Sequence, residues 1–249
     1  MSMFEDLTDV YEAMIDWPKR LSHEEPFYRR LFAEHGVHRV VDTACGTGRH
    51  AAMFHSWGLS VEGADVSPGM IDRARANFGE PAGLHWVVRG FDEPIAPADP
   101  FDAALCVGNS LPLAPDTATA ERAMTQMLAA VRDGGLLVVQ ALNFWRLPEG
   151  PCIWQKCRPA TLKDREVLII KGVHRCAGCG YVELLVAEAA GGALLRTDCV
   201  RFFGLEPAAL ESMARAAGAS EVRFFGGYRE EPYERQKSAD LLMVATKPG

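Results

Sequence analysis

The residues best able to do chemistry in this chain are two carboxylates set around a glycine turn. The run Val40-Val41-Asp42-Thr43-Ala44-Cys45-Gly46-Thr47-Gly48 reads as a buried strand ending in an acid, then a tight turn, then a helix from Arg49 to Trp57. The first glycine lets the chain turn sharply, and the second lets backbone approach a ligand with no Cβ in the way. The helix start offers unpaired N–H groups to that ligand. Asp42 stands four residues before Gly46, a placement that suits a cation such as an amino-acid ammonium. Asp65 follows Gly48 by 17 residues and ends a second strand, where a carboxylate can accept both hydroxyls of a ribose.

Three readings compete for this loop. It can be a packing turn with no ligand. It can be a nicotinamide dinucleotide site, since Gly46-x-Gly48-x-x-Ala51 nearly matches that fingerprint. The fingerprint asks for no acid at Asp42, however. The third ligand is S-adenosylmethionine, which has an ammonium at one end, a bare ribose in the middle and no phosphate. Gly90-Phe91-Asp92 closes a third strand, where an adenine can lie against Phe91.

The elements that must position these groups alternate. Strands are predicted at 38–43, 59–65, 84–89, 101–107 and 134–142, and helices near 48–57, 68–77 and 118–131. Pro68 suits a first helical position behind Ser67 as N-cap. Such alternation implies a parallel sheet with helices on both faces, and ligands outside the carboxyl ends of its strands. Asp42, Asp65, Gly90-Phe91 and Gly108-Asn109 all fall at those ends. Ser22 and Glu25 form a capping-box pattern ahead of a helix from Pro26 that ends at Gly36. After 143 the pattern changes. Segments 165–174, 180–189 and 193–203 read as three β segments turned at Gly178-Gly180 and Gly191-Gly192, so they should pair antiparallel. A helix near 206–217 and strands near 220–227 and 240–246 then resume the first scheme.

The bulk numbers narrow the partners. The chain has 249 residues, 48% hydrophobic and 24% charged, an ordinary globular composition. Its net charge of −7 argues against nucleic acid. No apolar run approaches the roughly 20 residues of a membrane span. Met1-Ser2-Met3-Phe4-Glu5-Asp6 carries early acids and no apolar core, which predicts no secretory signal and a cytoplasmic protein. Seven cysteines form no regular disulfide framework. Cys176-Ala177-Gly178-Cys179 resembles half a zinc knuckle that Cys152 and Cys157 could complete, although a tight hairpin with free thiols is the plainer reading and no metal is assigned. Of the histidines, His50 is expected to be packed or solvated, and His174 to reach the site only if the β layer forms a lid.

In their order, Asp42 to Gly48, Asp65-Val66-Ser67-Pro68-Gly69-Met70 and Gly134-Gly135-Leu136-Leu137-Val138-Val139 resemble the class I S-adenosylmethionine-dependent methyltransferases. Cys106-Val107-Gly108-Asn109-Ser110-Leu111, with Pro115-Asp116 after it, is similar to the glycine and sarcosine N-methyltransferase group. The resemblance implies a doubly wound, seven-stranded, mostly parallel Rossmann-like sheet. It implies a lead-in (1–37) closing over the cofactor, a cofactor-binding domain (38–143 and 204–249) and an inserted antiparallel β layer (144–203). It also implies a cofactor site. Tyr11 and Arg20 would close over the ligand, Arg20 pairing its carboxylate. Ala44 and Gly46 would line the methionine part, Asp65 the ribose, and Gly90 and Phe91 the adenine, with Asp42 and Gly48 also among the cofactor-binding residues. Val66, Met70, Cys106 and Val107 would complete it, and Asn109 would face the acceptor as the best catalytic candidate.

The chain also departs from that group. Leu142 stands where the glycine enzymes carry an Arg that grips the substrate carboxylate, and a lost bidentate clamp is a large change. Leu113 replaces a His and Phe91 a Trp. With Phe144 and Trp145 these predict a less polar pocket. The expected reaction is therefore methyl transfer to a nitrogen, or next an oxygen, of a small molecule other than glycine. The rivals are a non-catalytic S-adenosylmethionine- or zinc-binding protein, a nucleic-acid methyltransferase and a nicotinamide oxidoreductase. The sequence does not give the oligomeric state.

Overall fold

The computed structural model describes residues 8–249. Residues 1–7, with the reading of Met1 to Asp6 and the start of the 1–37 lead-in, lie outside the described residues.

Two helices, α1 (Thr8–Met14) and α2 (Trp17–Glu34), precede the first strand. Asp16 caps α2, its side chain accepting from the Lys19 N–H, with Pro18 in the first turn. This corrects the predicted start at Ser22. The Ser22 hydroxyl instead donates back to the Lys19 carbonyl inside the helix, and Pro26 sits mid-helix. An Asp-Trp-Pro start upstream outcompetes the capping box.

Strands and helices then alternate: β1 (Arg39–Asp42), α3 (Arg49–Ser56), β2 (Ser60–Asp65), α4 (Pro68–Phe78), β3 (Leu84–Val88), β4 (Phe101–Cys106), α5 (Thr117–Ala130) and β5 (Val131–Leu142). After an excursion the chain returns through α6 (Pro207–Ala216), β10 (Glu221–Phe225) and β11 (Asp240–Thr246). The seven strands lie in the order β10-β11-β5-β4-β1-β2-β3, with β11 antiparallel to both its neighbours and the other pairings parallel. Side chains alternate across this sheet with period two. Val41, Ala104, Leu137 and Val139 pack beneath α5 and α6 with Met124, Met127 and Leu210. Val40, Leu105, Leu136 and Val138 pack on the other face with Phe27, Tyr28, Phe54 and Trp86. No described helix is long and apolar enough to cross a membrane.

The excursion is a second, wholly antiparallel sheet of four strands: β6 (Ile153–Leu162), β7 (Arg165–Cys176), β8 (Cys179–Glu188) and β9 (Leu194–Phe203). Only three β segments were expected. The missed one, β6, is an edge strand carrying Lys156, Arg158 and Pro159, with most of its residues exposed. Edge strands are blunted by charge and proline, which erases the apolar alternation that marks a strand in sequence. Two clusters fasten this sheet down. Phe144, Leu147, Val173 and Phe202, with Leu113 and Leu142, join it to the end of β5. Val10 of α1 joins Val167, Ile169, Leu184 and Val186.

Candidate active site

The carboxyl ends of β1, β2 and β4 bring the predicted loop residues together. Asp42 is 1% exposed. Its Oδ1 accepts from the Ala44 N–H at 3.3 Å, while its Oδ2 is buried with no partner among the described residues. Burial pushes its carboxyl up from 3.8 to about 6, with nearby His50 opposing. Asp65 is held face-on to the loop, Oδ2 accepting from the Gly46 N–H at 2.9 Å and Oδ1 from the Ser67 N–H at 3.0 Å. Burial raises this carboxyl too, and the two N–H donors hold it back. Gly46 is buried, and the atoms nearest to a Cβ placed there belong to the Tyr11 ring, at 3.6 Å, so Tyr11 covers the turn. An orphaned buried carboxylate oxygen, a glycine turn beneath a single tyrosine ring and a fixed second carboxylate fit a ligand that brings an ammonium and a diol.

Gly48 has a different task from the one expected. Its φ is +83°, and a Cβ would lie 2.5 Å from Trp86 and 2.9 Å from Ala74. Its lack of a Cβ is needed for the close packing of this turn against Trp86 and Ala74. Ala44 is half-buried at the edge of the α5-side core, Gly90 is buried, and Phe91 packs partly against that same core. Val66 is 61% exposed directly after Asp65, while Met70 is buried in the first turn of α4, its N–H accepted by the Ser67 hydroxyl. The Cys106 side chain is fully buried beneath α5, and burial pushes its thiol up to about 12, so it acts as a small core hydrophobe. Val107 lies in the opposite core.

The helical lead-in stands over this loop. Ion pairs Glu12–Arg49 and Asp9–Arg73 hold α1 to α3 and α4. On α2, Arg20 Nε donates to Glu24 Oε1 at 2.8 Å, and His50 Nε2 donates to Glu24 Oε2 at 2.6 Å. Burial works to raise the Glu24 carboxyl, but His50 and Arg20 outweigh it and hold it at about 2. His50 is thus packed, as expected, against a partner that sequence reading missed. The Arg20–Glu24 spacing of four was the available signal.

Beside the loop lies a cavity of about 310 Å³. Its floor is a hydrogen-bonded chain across three strands. Gln140 Oε1 accepts from the Gly108 N–H at 2.8 Å and the Asn109 N–H at 3.2 Å, and Gln140 Nε2 donates to Asp240 Oδ1 at 2.7 Å. Asn109, at φ +67°, turns its Oδ1 to accept from the Leu142 N–H at 2.9 Å. Arg20 and Glu24 form one wall, Leu113 and Leu142 another, and Lys171 and Leu184 of the second sheet the roof. Burial raises the Asp240 carboxyl, with Gln140 opposing. Burial, then Lys156 and Arg20, press the Lys171 ammonium down to about 8. Gln140, Lys171 and Asp240 were not predicted. Gln140 and Lys171 each interrupt an apolar strand run, and a polar residue inside such a run was the signal available.

Other expectations need correction. Phe144 is 3% exposed and packs on Phe202, while Trp145 lies under Arg235 at 3.7 Å. Both rings fasten the second sheet to the first and leave the cavity wall to Leu113 and Leu142. His174 stacks on Tyr181, with ring centroids 5.2 Å apart, and does not line the cavity. Cys176 and Cys179 face each other at the β7–β8 turn, whereas Cys157 pairs with Ile170 farther down the sheet. Among the described residues no three potential ligands are grouped to hold a metal.

Comparison with known proteins agrees with this geometry. Residues 40–135 match a family described as a methyltransferase domain. The chain is 32% identical to the glycine/sarcosine N-methyltransferase of Parasynechococcus marenigrum (strain WH8102) over 158 residues, 59% of this chain and 52% of that protein. It is 34% identical to the glycine N-methyltransferase of Rattus norvegicus over 142 residues, 52% of this chain and 48% of that one. The matches thus span about half the length of these curated relatives. In fold the chain is similar to the CcbJ methyltransferase from Streptomyces caelestis, with a TM-score of 0.78 at 21% identity over 100% of this chain and 99% of that one. It is also similar to CalS10, an amino pentose methyltransferase from Micromonospora echinaspora, with a TM-score of 0.74 at 22% identity over 96% of each chain. Residues 40–135 thus carry the match to a methyltransferase domain, and the chain is similar there to the glycine and sarcosine N-methyltransferases.

Proposed function

We propose that this protein is an enzyme that transfers the methyl group of S-adenosylmethionine to an amine nitrogen of a small molecule other than glycine. The observation that carries this reading is Asp240, a half-buried carboxylate at the floor of the cavity and one residue, Gln140, removed from the Gly108-Asn109 turn. A carboxylate there accepts an N–H hydrogen bond and aims the nitrogen lone pair. An oxygen acceptor is the next reading, and it asks for a stronger base.

In this reading Asp42 Oδ2 takes the cofactor ammonium and Arg20 its carboxylate. Asp65 takes the ribose hydroxyls, and Val66 and Phe91 border the adenine. Gly46 and Val107 offer backbone, and Tyr11 covers the reacting end. The cofactor supplies a methyl already activated by a sulfonium charge. On transfer the N–C bond would form as the S–C bond breaks with the electron pair kept by sulfur, and the nitrogen would shed its added positive charge as a proton. Asp240, with its raised affinity for protons, can receive that proton. The protein's main contributions are alignment and exclusion of water by the second sheet and α1. Leu142 offers no charge at the end of β5, where the glycine enzymes clamp the substrate carboxylate, which favours an acceptor bound differently from glycine. The net charge of −7 and the cavity beside the loop favour a small-molecule partner over nucleic acid.

A screen of a metabolite pool with methyl-labelled cofactor tests this. A labelled amine with release of S-adenosylhomocysteine is expected. Cofactor binding without turnover on any pool would leave a non-catalytic binding protein, and labelled nucleic acid would replace the acceptor class.

A further inference from the structure

The cavity above Asp240 opens outward into a larger chamber of about 790 Å³ between the α1–α2 corner and strands β6 and β7. Its charges are one-sided. Lys19, Arg20, Lys156, Arg158 and Lys171 line it, against the single carboxylate of Asp16. Asp16 lies 3.9 Å from Arg158, and Arg20 is engaged by Glu24. That leaves Lys19, Lys156 and Lys171 with no carboxylate within 4 Å among the described residues. In a chain of net charge −7 this concentration runs against composition.

The sheet register adds an independent observation. Lys156 and Lys171 are direct cross-strand partners of β6 and β7. Opposed residues of an antiparallel pair share a face, and like charges so placed are destabilising. Burial presses the Lys171 ammonium down to about 8, and the nearby charges of Lys156 and then Arg20 add to it. A bound oxyanion between them would turn repulsion into two attractions.

We propose that the acceptor is itself an anion, its amine reaching inward to Asp240 and its oxyanion portion held in the outer chamber by Lys171 and Lys156, with Arg158 and Lys19 at the mouth. The inference rests on the methyltransferase reading and names its substrate class. The charge that Leu142 lacks at the end of β5 is supplied here from the opposite wall, by the second sheet. Phosphate and carboxylate share the chemistry that the lysines recognise, and the test separates them.

Inorganic pyrophosphate and succinate are titrated calorimetrically into the full chain, alone and saturated with S-adenosylhomocysteine. Saturable binding of at least one anion is expected, and the anion that binds identifies the phosphate or the carboxylate source. Lys171→Met and Lys156→Met should each weaken it about tenfold or more, the scale of one lost charge-assisted contact. Lys237→Met, at an exposed residue that is paired with Glu234 and does not line the chamber, should leave it unchanged. Neither chamber variant should alter S-adenosylhomocysteine affinity, and both should raise the melting temperature by relieving the lysine repulsion. A merely structural pair of lysines would instead lower the melting temperature on replacement. No saturable anion binding, or equal binding by the double lysine variant, overturns the proposal. Failure of S-adenosylhomocysteine to bind would strike the methyltransferase reading instead, and the anion titration without it would still report on the chamber.

Discussion

Replacing Asp42 with asparagine should exchange cofactor affinity for stability, in a pH-dependent way. The carboxyl titrates at 3.8 in an unfolded chain and at about 6 in the folded one, because it is 1% exposed and one of its oxygens has no partner. At about 1.4 kcal/mol per pH unit, holding it ionised costs the native state about 3 kcal/mol. A raised acid pKa means that the folded chain binds the extra proton. This group's share of stability therefore falls as pH rises from about 4 to about 6, and the loss is complete above that. Asparagine has no such titration. Urea unfolding of both proteins should show the stability difference moving by about 3 kcal/mol toward the variant between about pH 3.5 and pH 8. Comparing two pH values removes any constant offset from the new amide. A movement under about 1 kcal/mol would refute the claim that Asp42 is stored as a destabilised charge. The same variant should bind S-adenosylmethionine about ten- to a hundredfold more weakly, since a buried charge-assisted hydrogen bond contributes about 1.5–3 kcal/mol. With ligand bound, the wild-type pH slope should flatten.

Three further outcomes are expected. Gly48→Ala should cost about 2–5 kcal/mol in thermal unfolding, from left-handed backbone strain and overlap with Trp86, whereas Gly46→Ala should cost only the backbone part and weaken cofactor binding. Asn109→Ala should lose about 1–3 kcal/mol by orphaning the Leu142 N–H, while Asn109→Asp, which keeps the acceptor, should retain both stability and most of kcat. A large kcat loss in the aspartate variant would make Asn109 a residue that touches the acceptor rather than one that holds β5 in place. Asp240→Asn should lower kcat/KM on the order of a hundredfold. Because burial raises the Asp240 pKa, wild-type turnover should drop as pH falls through that raised value, and this acid limb should vanish in the variant.

The alternating half of the fold was legible because its signals are local. A buried strand, a glycine turn and an amphipathic helix each declare themselves within a dozen residues, and Asp42 and Asp65 fall at strand ends that the pattern fixes. The acceptor side was less legible, for physical reasons. Strand β6 sits at an edge, where charge replaces alternation. Phe144 and Trp145 follow β5 in sequence, yet the chain turns them into the joint between sheets, and sequence adjacency to a site says nothing about side-chain direction. Lys171 and Asp240 enter the cavity from elements 69 residues apart in the chain. Their meeting depends on how the second sheet docks, which no local pattern encodes. Gln140 was visible as a lone amide in an apolar strand, but its partners were not.

The short helix α1 touches both halves of the site. Its Tyr11 stands over Gly46, and its Glu12 and Asp9 are paired to Arg49 and Arg73. Its Val10 belongs to the hydrophobic cluster of the second sheet. A ligand reaching the glycine loop must displace the helix that also braces the roof. We expect this to impose an order of addition, cofactor first and acceptor second, with the demethylated cofactor leaving last. Product inhibition tests it: S-adenosylhomocysteine should compete with S-adenosylmethionine alone, and competition with the acceptor as well would mean that the two doors open independently.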